Sequence, residues 1–388
     1  MLLGCLALLV FVMGRGAIAS AIKESKTKYA MAAWLEDIAL NRTTFLSEGG
    51  PALATGRADE LIHGYLSSRQ KHFRILMRQI VFALALQAVA STVLLGLGGF
   101  LVINRELTLG QLVASELIVA VIVGAFAKLG KHMEGFYDLM ASIDKLGTLI
   151  DLPVQREDGM MGFQVEGALP ISMSSVSYGW PSSKPVIDNF SAEVPAGSSL
   201  AVYGPSGSGK STLIDLIGGL RAPKAGELTL GGNEPRDVRP DVLHRHVAVV
   251  RGNEVFQASV EENVHLDRND INAVDVRNAL EDVGLLHGLS RLPDGPRSML
   301  STGGSPLSEN ECRRLGIARA IAGRPSVLLI DGVLDSLSDE EVEPILTRLL
   351  DREAGWTVVI ATGRESIAQR CETLVYLRQP FASPGSSR

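Results

Sequence analysis

Cysteine is scarce in this chain: Cys5, Cys312 and Cys371 are the 3 in 388 residues. They lie far apart in unlike surroundings, so they form neither a disulfide framework nor a cysteine metal site. A positive charge excess is also missing. With 37 Lys and Arg against 43 Asp and Glu, the net charge is −6, and no electrostatic footprint for nucleic acid exists. Charge is thinly and unevenly spread over the first 150 residues, where long apolar runs dominate. The rest has the mixed composition of a soluble α/β domain, and the length allows two domains.

The apolar runs read as membrane spans. Residues 80–103 carry no charge and are long enough to cross a bilayer. Asn104-Arg105-Glu106 makes a polar break, and residues 109–127 form a second span interrupted only by Gln111, Ser115 and Glu116. A third run, Met1 to Met13, is shorter and extends through Ile22, with Arg15 near the interface. Basic residues flank these runs at Arg15, Lys23, Lys26 and Lys28, at Arg69, Lys71, Arg74 and Arg78, and at Lys128 and Lys131. The positive-inside rule then puts the Asn104 break outside and everything after residue 131 in the cytoplasm. The expectation is a multi-pass protein of the inner (cytoplasmic) membrane, with Glu116 hydrated near the outer interface. A cleaved signal at Ala17–Ser20 would lack a basic n-region, and Cys5 lies too near the start for a lipid box. Residues 23–78 read as two cytoplasmic helical extensions, joined by an elbow at Ser47-Glu48-Gly49-Gly50-Pro51.

The most specific motif lies further on. Gly204-Pro205-Ser206-Gly207-Ser208-Gly209-Lys210-Ser211-Thr212 satisfies G-x-x-x-x-G-K-[ST] in full. An apolar strand, Leu200 to Tyr203, precedes it, and an apolar helix start, Leu213 to Ile217, follows. Glycines let several N–H groups converge on a phosphate, and the helix N-terminus adds its positive end. Lys210 is placed to reach the outer phosphates and Ser211 to offer its hydroxyl to Mg²⁺. A nucleoside triphosphate site is the expectation.

With that motif as anchor, the soluble part resembles the nucleotide-binding domain of an ATP-binding cassette (ABC) exporter. The membrane part resembles the second half of that family's six-helix bundle. The resemblance implies α-helical transmembrane segments followed by an α/β P-loop NTPase domain with a helical subdomain. It divides the chain into a partial transmembrane domain at 1–150 (spans near 1–22, 80–103 and 109–127), a linker at 151–168, the nucleotide-binding domain at 169–379 and a tail at 380–388. Val176-Ser177-Tyr178-Gly179-Trp180-Pro181 matches the segment whose aromatic stacks on adenine, here Trp180. Leu328-Leu329-Ile330-Asp331 matches the strand whose terminal Asp holds Mg²⁺, and Arg319 falls in the helix after the signature. ATP and Mg²⁺ are the implied cofactors.

Several family residues are replaced. The glutamate that polarises the attacking water falls at Gly332, and the γ-phosphate histidine at Gly363. The Mg²⁺-sensing glutamine falls at Arg251, and the aspartate of the dimer-contacting loop at Ser338. The LSGGQ signature reads Leu307-Ser308-Glu309-Asn310-Glu311, which adds bulk and sets Glu309 and Glu311 towards a polyanion. Losing a general base alone removes about 10²–10⁴ in rate. The sequence therefore suggests a phosphate cradle without the groups that split the terminal phosphate. Family members pair head to tail, so a second ABC half is the implied partner, a heterodimer is favoured over a homodimer, and hydrolysis is expected on the partner's P-loop. A membrane-fusion subunit is a further implied partner. Three spans instead of six favour a truncated or mis-started sequence over helices supplied by another polypeptide. The competing function is a membrane-anchored ATP-binding regulator or scaffold without transport, although long extensions continuous with the spans favour transport.

Overall fold

The computed structural model describes residue 12 and residues 14–163, 166–181 and 184–378. Most of the expected span near 1–22 and the tail at 380–388 lie outside these residues. Two units are present, Met1–Val154 and Gln155–Arg388.

The first unit is built from three long helices: α1 (Ala17–Leu40), α2 (Gly50–Ile103) and α3 (Leu109–Ile150). Small residues let them approach closely. Ala17 and Ala21 of α1 are buried against Leu76 of α2 and Tyr137 and Ala141 of α3. Polar side chains inside this contact are paired: Ser20 Oγ lies 2.9 Å from His72 Nδ1, and Gln79 Nε2 donates to the Tyr137 hydroxyl at 2.9 Å. At 54 residues, α2 extends about 80 Å at 1.5 Å per residue. Its second half exposes Val81, Leu84, Val89, Val93, Leu97 and Phe100. Among the described residues α2 is the helix long and apolar enough to cross a bilayer, and α3 contributes a shorter apolar stretch, Leu109–Ile122.

The polar interruptions have local causes. Gln111 belongs to a capping box: the Thr108 hydroxyl accepts from Gln111 N, and Gln111 Oε1 accepts from Thr108 N. At the elbow Gly49 adopts φ 83°, and a Cβ on Gly50 would stand 2.5 Å from the Phe45 carbonyl oxygen. Only glycine fits that approach. Across the turn, Trp34 Nε1 donates to the Ala54 carbonyl at 3.2 Å and the Trp34 ring meets Phe45 edge-on.

The second unit combines two sheets. Strands β1 (Ile171–Tyr178), β2 (Ile187–Val194) and β4 (Ala225–Leu230) form an antiparallel sheet in the order β2-β1-β4. Strands β3 (Ser199–Tyr203), β5 (Val247–Arg251), β6 (Val327–Asp331), β7 (Thr357–Thr362) and β8 (Thr373–Tyr376) form a parallel sheet in the order β5-β6-β7-β3-β8. The central strands are apolar along their middles because both faces are covered. One core packs around α4 (Lys210–Ile217) and the antiparallel sheet. The other packs around α5 (Ala273–Asp282), α6 (Glu309–Ala322) and α7 (Asp339–Leu349). Part of the stretch expected to be linker is integrated here: Phe163 is buried, Met160 bridges Val238, and Arg156 donates to the Val238 carbonyl.

Candidate nucleotide site

In a parallel α/β sheet, ligands gather beyond the carboxyl ends of the strands. Here β3, β5 and β6 end together around a cleft of about 860 Å³. Ser206, Gly207, Gly209, Lys210, Ser211 and Thr212 line its floor, Trp180 and Val186 one wall, and Arg251, Arg313, Asp331 and Gly332 the other.

The floor is a loop that only glycine permits. Gly209 precedes α4 at φ 96°, and a Cβ there would meet Val186 Cγ1 at 2.9 Å. A Cβ on Gly204 would fall 2.3 Å from the Leu377 carbonyl oxygen. These close approaches hold the loop tight against Leu377 and Val186. Lys210 Nζ folds over it and donates to the carbonyls of Gly204 (2.7 Å) and Pro205 (2.9 Å). Trp180 is 46% exposed on the cleft wall. Its ring meets Tyr178 edge-on, and the Arg221 guanidinium lies 4.3 Å from its centroid.

The other wall holds an alternating chain of charges. Register pairs Arg251, the last residue of β5, with Asp331, the last of β6, so their side chains emerge side by side. Arg251 Nε donates to Asp331 Oδ2 at 2.8 Å, and Arg251 Nη2 donates to Asp215 Oδ1 at 2.7 Å. Asp215 Oδ2 accepts from Arg221 Nε at 2.7 Å. Asp331 Oδ1 accepts from the Ser211 hydroxyl at 2.9 Å. Ser211 and Asp331, the residues expected to hold Mg²⁺, are thus brought together. Lone pairs remain on the Ser211 hydroxyl oxygen and on both Asp331 oxygens, but the Arg251 guanidinium already occupies one face of that carboxylate, so a divalent ion there would share it with a fixed cation.

Of the positions where the resemblance implies replaced groups, Arg251 and Gly332 line the cleft. Gly332 follows Asp331 at φ 67° and donates its N–H to the Ala361 carbonyl at 2.9 Å. Gly363 N donates to Asp335 Oδ2 at 2.8 Å, and Thr362 Oγ1 donates to Asp335 Oδ1. Ser338 serves as the cap of α7 in a capping box with Glu341.

In the segment matched to the signature, Leu307 is buried and Ser308 caps α6, its hydroxyl accepting from Glu311 N at 3.3 Å. Glu311 does not face outward as expected. It lies buried in a two-pronged contact with Arg291 at 2.7 Å for each prong, and it closes the capping box to Ser308. Arg291, partly offset by burial and helped by Ser308, holds the Glu311 carboxyl down at about 2. Burial with two hydrogen-bonding partners removes it from any repulsion of phosphate. Glu309 remains exposed and pairs with Arg313 at 2.5 Å, while Asn310 Oδ1 accepts from Arg313 at 3.3 Å. Arg319 sits away from the cleft edge, donating to Asn263 O and Oδ1 at 2.6 and 3.0 Å.

Two contributors to the site escape a reading of motifs: Asp215 and Arg221. Asp215 had a usable signal, since a carboxylate within the apolar run Leu213 to Ile217 needs a buried partner.

Residues 187–334 match the ABC transporter family. Over 326 residues the chain is 25% identical to the leukotoxin translocation ATP-binding protein LktB of Mannheimia glucosida, which covers 83% of this chain and 46% of that protein. It is 26% identical over 327 residues to the alpha-hemolysin translocation ATP-binding protein HlyB of Escherichia coli, with the same coverage of 83% and 46%. The chain therefore spans about half the length of these curated relatives. Among solved structures, a bacterial Atm1-family ABC exporter with ATP bound matches 97% of this chain and 67% of its own, with a TM-score of 0.85 at 20% identity. That likeness is one of fold: a helical region followed by an α/β nucleotide-binding domain.

Proposed function

Since this chain carries an ABC transporter domain and has the fold of an ABC exporter half, we propose that it is the ATP-binding, hydrolysis-deficient half of an exporter-like membrane transporter. The observation that carries this reading is the contrast within one cleft. The phosphate loop is complete from Gly204 to Thr212, whereas the residue after Asp331 is a glycine in a left-handed conformation with no side chain to act as base. ATP is bound by the loop, Lys210 and Trp180. The Mg²⁺ that usually accompanies ATP competes with Arg251 for Asp331.

The chain works in a dimer with a second ABC half, and a partner carrying the missing groups hydrolyses ATP on its own P-loop. The long α2 and the apolar start of α3 support a multi-pass membrane location with the nucleotide-binding unit in the cytoplasm. A membrane-fusion subunit is a further partner consistent with the toxin-translocating relatives.

The test is ATP turnover by the purified full chain, alone and after co-purification with its native partners. The chain alone is expected to bind a fluorescent ATP analogue and release almost no phosphate. Turnover near one per second by the chain alone would refute the assignment, because it falls within the ordinary range of enzymes.

A further inference from the structure

We infer that Arg251 is a built-in cation that replaces Mg²⁺ at this nucleotide site, so that the chain binds a nucleoside triphosphate without a metal. The inference rests on the P-loop reading above and specifies what that site binds. Four observations lead to it. Strand register fixes Arg251 beside Asp331 at the carboxyl edge of the sheet. Its guanidinium spans the two carboxylates of Asp331 and Asp215 at 2.8 and 2.7 Å. The Ser211 hydroxyl donates to the other Asp331 oxygen at 2.9 Å, so this carboxylate is bonded from both sides. The same guanidinium lines the cleft together with Lys210 and Arg313, so three cationic side chains face the place where a triphosphate would lie.

The chemistry is that of charge replacement. A divalent ion at this point would share Asp331 with a permanently charged guanidinium and meet like charge at contact range. A guanidinium offers several N–H donors in a fixed fork, which suits phosphate oxygens as well as carboxylates. Asp215 keeps Arg221 as a second partner, so Arg251 can give up one carboxylate contact for a phosphate without leaving Asp215 unpaired.

The experiment is equilibrium binding of N-methylanthraniloyl-ATP to the full chain in lipid nanodiscs, with millimolar Mg²⁺ or with EDTA. The two affinities are expected to agree within about threefold. In Arg251→Gln, affinity in EDTA should fall more than about tenfold and return when Mg²⁺ is added, while Arg251→Lys should retain much of the metal-free binding. Wild-type binding that needs Mg²⁺, with a loss above about tenfold in EDTA, would overturn the role given to Arg251 and leave the P-loop reading intact. No binding in either buffer, or binding unaffected by Lys210→Ala, would overturn the P-loop reading and this inference with it. The wild-type comparison needs no variant, so misfolding of a mutant cannot shelter the claim.

Discussion

If the chain is the hydrolysis-deficient half proposed above, placing a carboxylate with Gly332→Glu should barely raise ATP hydrolysis. A well-placed general base contributes about 10²–10⁴ in rate, or about 3–5 kcal/mol. Space is not the obstacle, because a Cβ at 332 meets nothing within 4 Å. Conformation is. Gly332 sits at φ 67°, and an L residue held there costs about 1–2 kcal/mol. Leaving that well relieves the strain but breaks the bond from Gly332 N–H to the Ala361 carbonyl, an alternative cost of about 1 kcal/mol, and carries the new carboxylate away from the strand end. Either cost is common to the ground and transition states, so the rate suffers through the displaced base. Position 363 would still lack a side chain, and Arg251 would still hold Asp331. The expected rise in phosphate release by the full chain in nanodiscs is below about tenfold, read against Lys210→Ala as the blank. Gly332→Glu combined with Gly363→His and Arg251→Gln should exceed the single variant clearly. A rise of about 100-fold or more from Gly332→Glu alone would refute the reasoning, because it would show that the backbone at 332 accepts the base without penalty.

Other outcomes follow from the same geometry. Lys210→Ala should abolish binding of a fluorescent ATP analogue, and unchanged binding in a fluorescence titration would count against the site. Glu311→Gln, which keeps the helix cap but loses the ion pair with Arg291, should destabilise the nucleotide-binding unit at neutral pH by about 1–2 kcal/mol, allowing for the half-exposed arginine. The sign of its pH dependence is fixed. Because the folded carboxyl titrates at about 2 instead of its ordinary 4.5, its stabilisation is complete above about pH 4.5 and disappears as pH falls towards 2. Wild type and Glu311→Gln should therefore converge in urea denaturation near pH 2, and a constant gap would sink this account. Gly50→Ala should distort the elbow, since its Cβ would stand 2.5 Å from the Phe45 carbonyl oxygen; a lower melting temperature with unaltered nucleotide binding is the expected pair of readings.

What could be read from sequence was local. The phosphate loop was legible because its glycines, lysine and hydroxyl residues are contiguous and each answers a separate steric or electrostatic need. The elbow was legible for the same reason: Gly49, Gly50 and Pro51 are neighbours whose backbone preferences agree. Arg251 and Asp331 were each located, but not their contact, because it depends on pairing two parallel strands 80 residues apart. Glu311 was misjudged as outward-facing because Arg291, which draws it in, lies 20 residues upstream in a loop. Gln111 read as a flaw in an apolar span until Thr108 gave it a capping role. Residues 155–163 lacked any periodic signal, yet Phe163 joins the core.

The pairing of Arg251 with Asp331 also has a kinetic consequence. Main-chain bonds on adjacent strands anchor both ends of that contact, so no sliding of the sheet is needed to undo it. Only the arginine side chain, still partly open to solvent at 36%, has to swing. Its bonds to Asp331 and Asp215 must loosen first, so the step is slower than the picosecond-to-nanosecond flips of free exposed side chains. It remains a side-chain motion: Arg251 can pass from carboxylate to phosphate with no need for the fold to breathe.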